Sequence, residues 1–162
     1  MININSRKNI EKRNEVFFKE HLGISKEEFF KKLGSIGKPK GFGYGKWSVD
    51  NPTAGRCGSV VNSLRLSNTI PRGYIACGQN EPTGGSHYYL INPVSQEVID
   101  PTCYQMDEDY NYGNYHTKFL PQISKNVSDT MKVLGLKIDK TTFTVKTDSR
   151  GVQTVSKKLI NK

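Results

Sequence analysis

No run of 18 apolar residues occurs in the 162-residue chain, which excludes a transmembrane helix and any expectation of a membrane partner. Neither C-x-x-C nor H-E-x-x-H is present, so no metal site is expected, and no cofactor-binding signature suggests a cofactor. Cysteine is scarce: Cys57, Cys77 and Cys103, an odd number at irregular spacing. That argues against a disulfide framework and for a reduced, cytoplasmic setting. The opening MININSRKNIEKRNE carries charges where a signal peptide needs an apolar stretch, so secretion by that route is not expected. There is no internal repeat and no low-complexity tract. Hydrophobic residues make up only 35% of the chain, but at 10% the aromatics are too many for intrinsic disorder. The length fits one domain, able to bury roughly two-thirds of its unfolded surface.

An excess of positive charge is missing from the middle. The formal net charge is +9, yet residues 47–139 hold 7 basic and 9 acidic residues. Residues 1–46 hold 11 basic and 5 acidic, and residues 140–162 hold 6 basic and 1 acidic. The centre therefore offers no phosphate-binding surface of its own, whereas the flanks do. They read either as solvated faces that maintain solubility or as contacts to a nucleic acid or protein. Within the first flank, residues 6–20 place Ile10, Phe17 and Phe18 among charges, as in a short amphipathic helix. A second helix is punctuated by a capping box, Ser25 with Glu28, and by Gly34 as its stop; Phe29, Phe30 and Leu33 would face inward. The following GSIGKPKGFGYGKW lacks the Gly-Lys-Ser/Thr ending of a phosphate-binding loop and reads as a flexible connector.

From Trp47 the texture changes. WSVDNPTAGR is loop-like, and Val60, Val61 and Leu64 then recur at helical spacing, so a helix should begin near Arg56 or Cys57. Strands are expected at 73–77, 87–91 and 97–100, with turn-rich QNEPTGG and NPVSQ between them. DEDYNYGNY reads as irregular, residues 126–134 as a helix stopped by Gly135, and 143–146 with 152–156 as a terminal hairpin. The sum is an α+β domain, with a basic helical N-terminal extension over 1–46 and the chemistry carried by 47–162.

Three residues in this order stand out: Cys57 at a helix start, His87 at a strand start, Asp100 at the end of the next strand. A helix N-terminus favours a thiolate, a nearby imidazole can take and return the proton, and a carboxylate fixes that imidazole's tautomer. Antiparallel strands can bring His87 and Asp100 face to face. Taken singly, a free cysteine is often just buried and a lone histidine structural; the ordered set of three is more demanding. The Cys57 backbone N–H, at a helix start, is a candidate oxyanion donor. Trp47, Arg56 and Ser86 flank the set and are candidates for contacting substrate. Cys77 and Cys103 read as buried thiols; His21 and His116 lack partners at metal-ligand spacing.

The run W-S-x-x-N-P-x-x-G-x-C-G, carried by Trp47, Ser48, Asn51, Pro52, Gly55, Cys57 and Gly58, resembles the opening motif of the bacterial YunG family. Ser86-His87-Tyr88-Tyr89, Ile99-Asp100-Pro101-Thr102 and Gln105-Met106 match later pieces in order. The succession is also similar to the core of transglutaminase-like enzymes of the papain-like superfamily. The resemblance spans about residues 47–106. It implies a papain-like core with a cysteine helix packed on an antiparallel sheet carrying His and Asp. It further implies Cys57 as nucleophile, His87 as general base and acid, and Asp100 as orienting residue. Asn51, six residues upstream of Cys57, resembles in placement the oxyanion amide of papain-like enzymes, though Asn-Pro is also an ordinary turn initiator. Arg56 stands where the family usually has Gln, which removes an amide before the nucleophile. The expected function is thus a cysteine-dependent acyl-transfer enzyme: a thiol protease or other hydrolase, a deamidase or a transamidating enzyme, acting on a protein or peptide-like substrate. The alternative is a non-catalytic binding or inhibitory module on the same scaffold, engaging a protein or nucleic acid through its basic flanks.

Overall fold

A computed structural model describes residues 3–41 and 46–159. Helix α1 (Arg7–Phe17) starts where the Ser6 hydroxyl accepts the Asn9 N–H, and continues into a π-helical turn over Phe18–Leu22 that Gly23 ends at φ +67°. Helix α2 (Lys26–Ser35) has the expected capping box of Ser25 and Glu28. Its left-handed residue, however, is Gly37 at φ +72° and not Gly34, which sits inside the helix. The stop is set by where a positive φ is needed, and Gly34 is spent on an ordinary helical position. Residues 42–45 of the expected connector lie outside the described residues.

Helix α3 (Cys57–Leu66) buries Val60, Val61, Leu64 and Leu66. It leads to a three-stranded antiparallel sheet, β1 (Ile75–Asn80), β2 (Ser86–Ile91) and β3 (Val98–Ile99), in the order β1-β2-β3. Strand β1 runs three residues past the expected 73–77, through Gly78, Gln79 and Asn80, because Gly78 fits under its neighbour. A Cβ there would lie 2.7 Å from the Tyr88 ring. Alternation along the strands separates two cores. Ala76, Leu90 and Ile99 join Phe17, Phe18, Phe29, Leu33, Val60, Val61 and Leu64, while Cys77, Tyr89, Ile91 and Val98 join Ile10 and Cys103. The helices of 1–46 therefore share their core with 47–162.

A second antiparallel sheet is separate from the first. Strands β4 (Gln122–Ile123), β5 (Phe143–Thr147) and β6 (Gln153–Lys157) lie in the order β4-β6-β5. Helix α4 (Lys125–Val133) covers them, and Leu66, Ile123, Val127, Met131, Phe143 and Val155 form their core. Gly135, at φ +70°, stops α4 as expected. The hairpin turn is held by the Asp148 carboxylate, which accepts from the N–H groups of Arg150 and Val152. The two-residue β4 carries no sequence signal of its own; pairing with β6 defines it. The architecture is α+β, and no helix among the described residues is long and apolar enough to cross a membrane.

Candidate active site

Cys57 opens α3. Arg56, the cap position, offers no side-chain hydrogen bond, so the N–H groups of Cys57 and Gly58 have no partner among the described residues. The Cys57 sulfur lies 3.8 Å from the carbonyl oxygen of Ser86, the first residue of β2. The next residue, His87, is only 2% exposed. Its Nε2–H donates to Asp100 Oδ2 at 2.6 Å, the tautomer that a carboxylate acceptor requires. Nδ1 is then the ring nitrogen not engaged by Asp100, and the Cys57 side chain adds to the upward shift of the imidazole. Burial works against a charge on His87, but the Asp100 carboxylate and, after it, Cys57 outweigh burial and raise its pKa to about 10.

Asp100 is fully buried and held on all sides. Oδ2 accepts from His87 and, at 2.6 Å, from the Tyr112 hydroxyl; Oδ1 accepts from the Thr102 N–H and hydroxyl. Its backbone is clamped by Asn14 of α1. The Asn14 amide donates to the Asp100 carbonyl at 2.7 Å and accepts the Asp100 N–H at 3.1 Å. The tyrosine-rich segment expected to be irregular forms a strap over the histidine. The Tyr110 ring stands edge-on at 5.3 Å from His87, and Tyr112 lies against Tyr89 and Tyr110 at 4.9 Å each. Tyr110 bonds Glu81, while Gln79 bonds the Tyr89 hydroxyl, the Gly113 N–H and the Asn111 carbonyl. Burial above all, then Asp100, pushes the Tyr112 phenol strongly upward, so it stays a donor.

The flanking candidates separate. Asn51 donates an amide hydrogen to the Tyr104 carbonyl at 3.0 Å and accepts the Thr53 hydroxyl, so much of its side chain is engaged in the loop. Arg56 is 1% exposed and is engaged in the interior: its guanidinium donates to the Gly37 carbonyl just beyond α2 and to Thr130 of α4. Ser86 donates its hydroxyl to Asn80 and offers only its carbonyl to Cys57. Trp47 is half-buried, its indole N–H without an acceptor among the described residues, and no ring or hydrogen-bond contact ties it to the Cys57 set. Gln105 ties two loops instead, accepting the Gly55 N–H and donating to Thr102. Cys77 and Cys103 are buried free thiols, pushed up by burial, Cys77 to about 12. No group of three His, Cys, Asp or Glu side chains among the described residues is placed to hold a metal ion. Asn14 and Tyr112 carried no signal as site residues, whereas Thr102 and Gln105 fell within the D-P-T and Gln-Met pieces of the family-like motif without a role.

The protonation states dictate a pH dependence of stability. His87, near 6.5 when unfolded, binds its proton up to about pH 10 when folded. Its stabilising contribution is full below about pH 6.5 and lost as pH rises through 10. Cys77, near 8.5 unfolded and about 12 folded, adds a loss of the same sign above about pH 8.5. The melting temperature should therefore fall steadily between pH 7 and 10 in scanning calorimetry. In His87→Gln the fall should begin only above about pH 8.5; a wild-type curve flat to pH 8.5 would remove the charged imidazole.

No family model, curated protein or solved structure matches the chain.

Proposed function

We propose that the protein is a cysteine-dependent acyl-transfer enzyme of papain-like design, acting on an amide, isopeptide or thioester carbonyl of a protein or peptide. The observation that carries this reading is the buried 2.6 Å His87–Asp100 pair beside Cys57, which opens α3 with its sulfur 3.8 Å from the carbonyl oxygen of Ser86, the residue before His87. Cys57 sulfur, its proton held by His87, attacks the carbonyl carbon. A C–S bond forms, and the carbonyl electron pair moves onto oxygen, stabilised by the open N–H groups at the start of α3. Collapse breaks the bond to the leaving group, which takes the proton from His87 and leaves an acyl-thioester. Water or an amine then attacks, giving a proton to His87; the C–S bond breaks and the thiol is restored. Asp100 does not itself change protonation; held by Tyr112, Thr102 and Asn14, it fixes the imidazole. Substrate approaches from the partly exposed Cys57, since the tyrosine strap covers His87.

Iodoacetamide at pH 6 tests the reading. Cys57 should alkylate roughly tenfold or more faster than a model thiol, Cys77 and Cys103 should stay unlabelled, and His87→Ala should bring Cys57 down to the model rate. A Cys57 no faster than the model thiol in the native protein would leave the second reading, a binding module. That reading is favoured by the uneven distribution of the +9 charge.

A further inference from the structure

A surface depression lies between α4, the 135–140 turn, Ile123 of β4 and Gln153 of β6. Its volume is about 760 Å³, and it is floored by Ile123, Met131, Leu136 and Ile138 and rimmed by Lys132, Lys137 and Lys140. It continues past Ile138 and Lys140 to Phe143, Val145 and Lys158 along the hairpin. The rim lysines are exposed, and none forms a salt bridge among the described residues. Two of the nearby carboxylates are paired with cations, whereas the charge of Asp139 stands between Lys137 and Lys140 in the chain. Asp129 pairs with Lys125, Asp148 with Arg150, and Asp139 accepts from Thr141, Thr142 and Asn68. What faces solvent is a shallow depression with the half-buried Leu136 and Ile138 among three lysines, Ile123 and Met131 lying buried beneath and the Asp139 carboxylate beside Lys140.

Each half of that surface selects. The floor requires aliphatic or aromatic side chains from its occupant, because open apolar area of this kind gains only by being covered. The rim requires carboxylates or phosphates. A single-stranded nucleic acid would be met by aromatic stacking platforms, and base edges by planar forks; this floor is mainly aliphatic and its rim is lysine. We propose that the groove docks an acidic, amphipathic segment of a partner protein, its apolar residues on the half-buried Leu136 and Ile138 and its carboxylates on Lys132, Lys137 and Lys140. The proposal is independent of the chemistry at Cys57.

A fluorescein-labelled peptide of about 18 residues, with Leu at i, i+3, i+4 and i+7 and Glu elsewhere, serves as probe against the full chain carrying Cys57→Ser. Fluorescence anisotropy should show saturable binding that weakens with salt. Lys132→Glu/Lys137→Glu/Lys140→Glu should weaken it about tenfold or more, and Ile138→Ser, with the lysines intact, by a similar factor. Thermal melts check that the variants fold, with Lys137→Gln/Lys140→Gln as the milder pair should the triple variant not. The proposal is overturned if the folded variants bind as the parent does, or if a Glu→Gln peptide binds equally well. Displacement of the peptide by oligothymidylate or by phosphatidylglycerol vesicles at equal charge would also overturn it, by showing a surface for polyanions in general.

Discussion

Asp100→Ala should lower stability by about 3–5 kcal/mol, the usual consequence of removing one partner from a buried ion pair. In a domain of this size that is roughly 6–20 °C in melting temperature. The carboxylate has no exposed area and receives four hydrogen bonds, from His87, Tyr112 and twice from Thr102. Alanine would leave an imidazole and a phenol buried without their acceptor. Asp100→Asn separates structure from chemistry. The amide fills the same space and can still accept from Thr102, but its NH₂ would face His87 and favour the wrong tautomer. We therefore expect a smaller thermal loss together with alkylation of Cys57 at the model-thiol rate. A melt of Asp100→Ala within 2 °C of wild type would contradict the account of the buried pair.

A chain of residues 47–162 alone should show no cooperative unfolding transition by circular dichroism. Phe17, Phe18, Phe29 and Leu33 are each buried to within 1% and pack on Val60, Val61 and Leu64 of the cysteine helix. At about 1.5–3 kcal/mol per side chain, their burial amounts to roughly 6–12 kcal/mol, against a total stability of about 5–15 kcal/mol for ordinary domains. The ordering entropy released with the two helices offsets part of this, but the exposed apolar face of α3 and its sheet remains. The truncation also removes Asn14, leaving the Asp100 N–H and carbonyl without partners. A fragment that melts cooperatively near the parent temperature would show that 1–46 is an appendage. The test of the basic N-terminal flank must accordingly be charge reversal at exposed Lys8, Lys12 and Lys19, not deletion.

Local rules carried far into this fold. Val60, Val61 and Leu64 locate α3, Ser25 and Glu28 cap α2, and Gly135 ends α4, because each depends on neighbours within one turn. The same rules place His87 on β2, whereas the expected strand 97–100 shortens to Val98–Ile99 and Asp100 lies just past its end. What depends on distant partners was not legible. Gln79 and Asn80 read as turn residues and lie in β1, since their strand character comes from pairing with Ser86 and His87. Asn14, in a charged helix, shows nothing of the two bonds it makes to a residue 86 positions away. Tyr110 and Tyr112 sit in an acidic, glycine-broken run without periodicity; only the fold lays them over the histidine. Arg56 looked like a residue beside a nucleophile and therefore near substrate, but the first turn of a helix sends adjacent side chains in different directions.

Arg56 fastens three helices at one point. It caps α3 immediately before Cys57 and reaches the Gly37 carbonyl beyond α2 and a hydroxyl on α4, with burial lowering its pKa and Asp129 partly opposing that. The position next to the sulfur is thereby fixed by architecture, and substitution there would be felt first as a loosening of α2 and α4 against α3. Change around Cys57 and His87 that leaves the helix packing intact is confined to the 81–85 turn and the tyrosine strap.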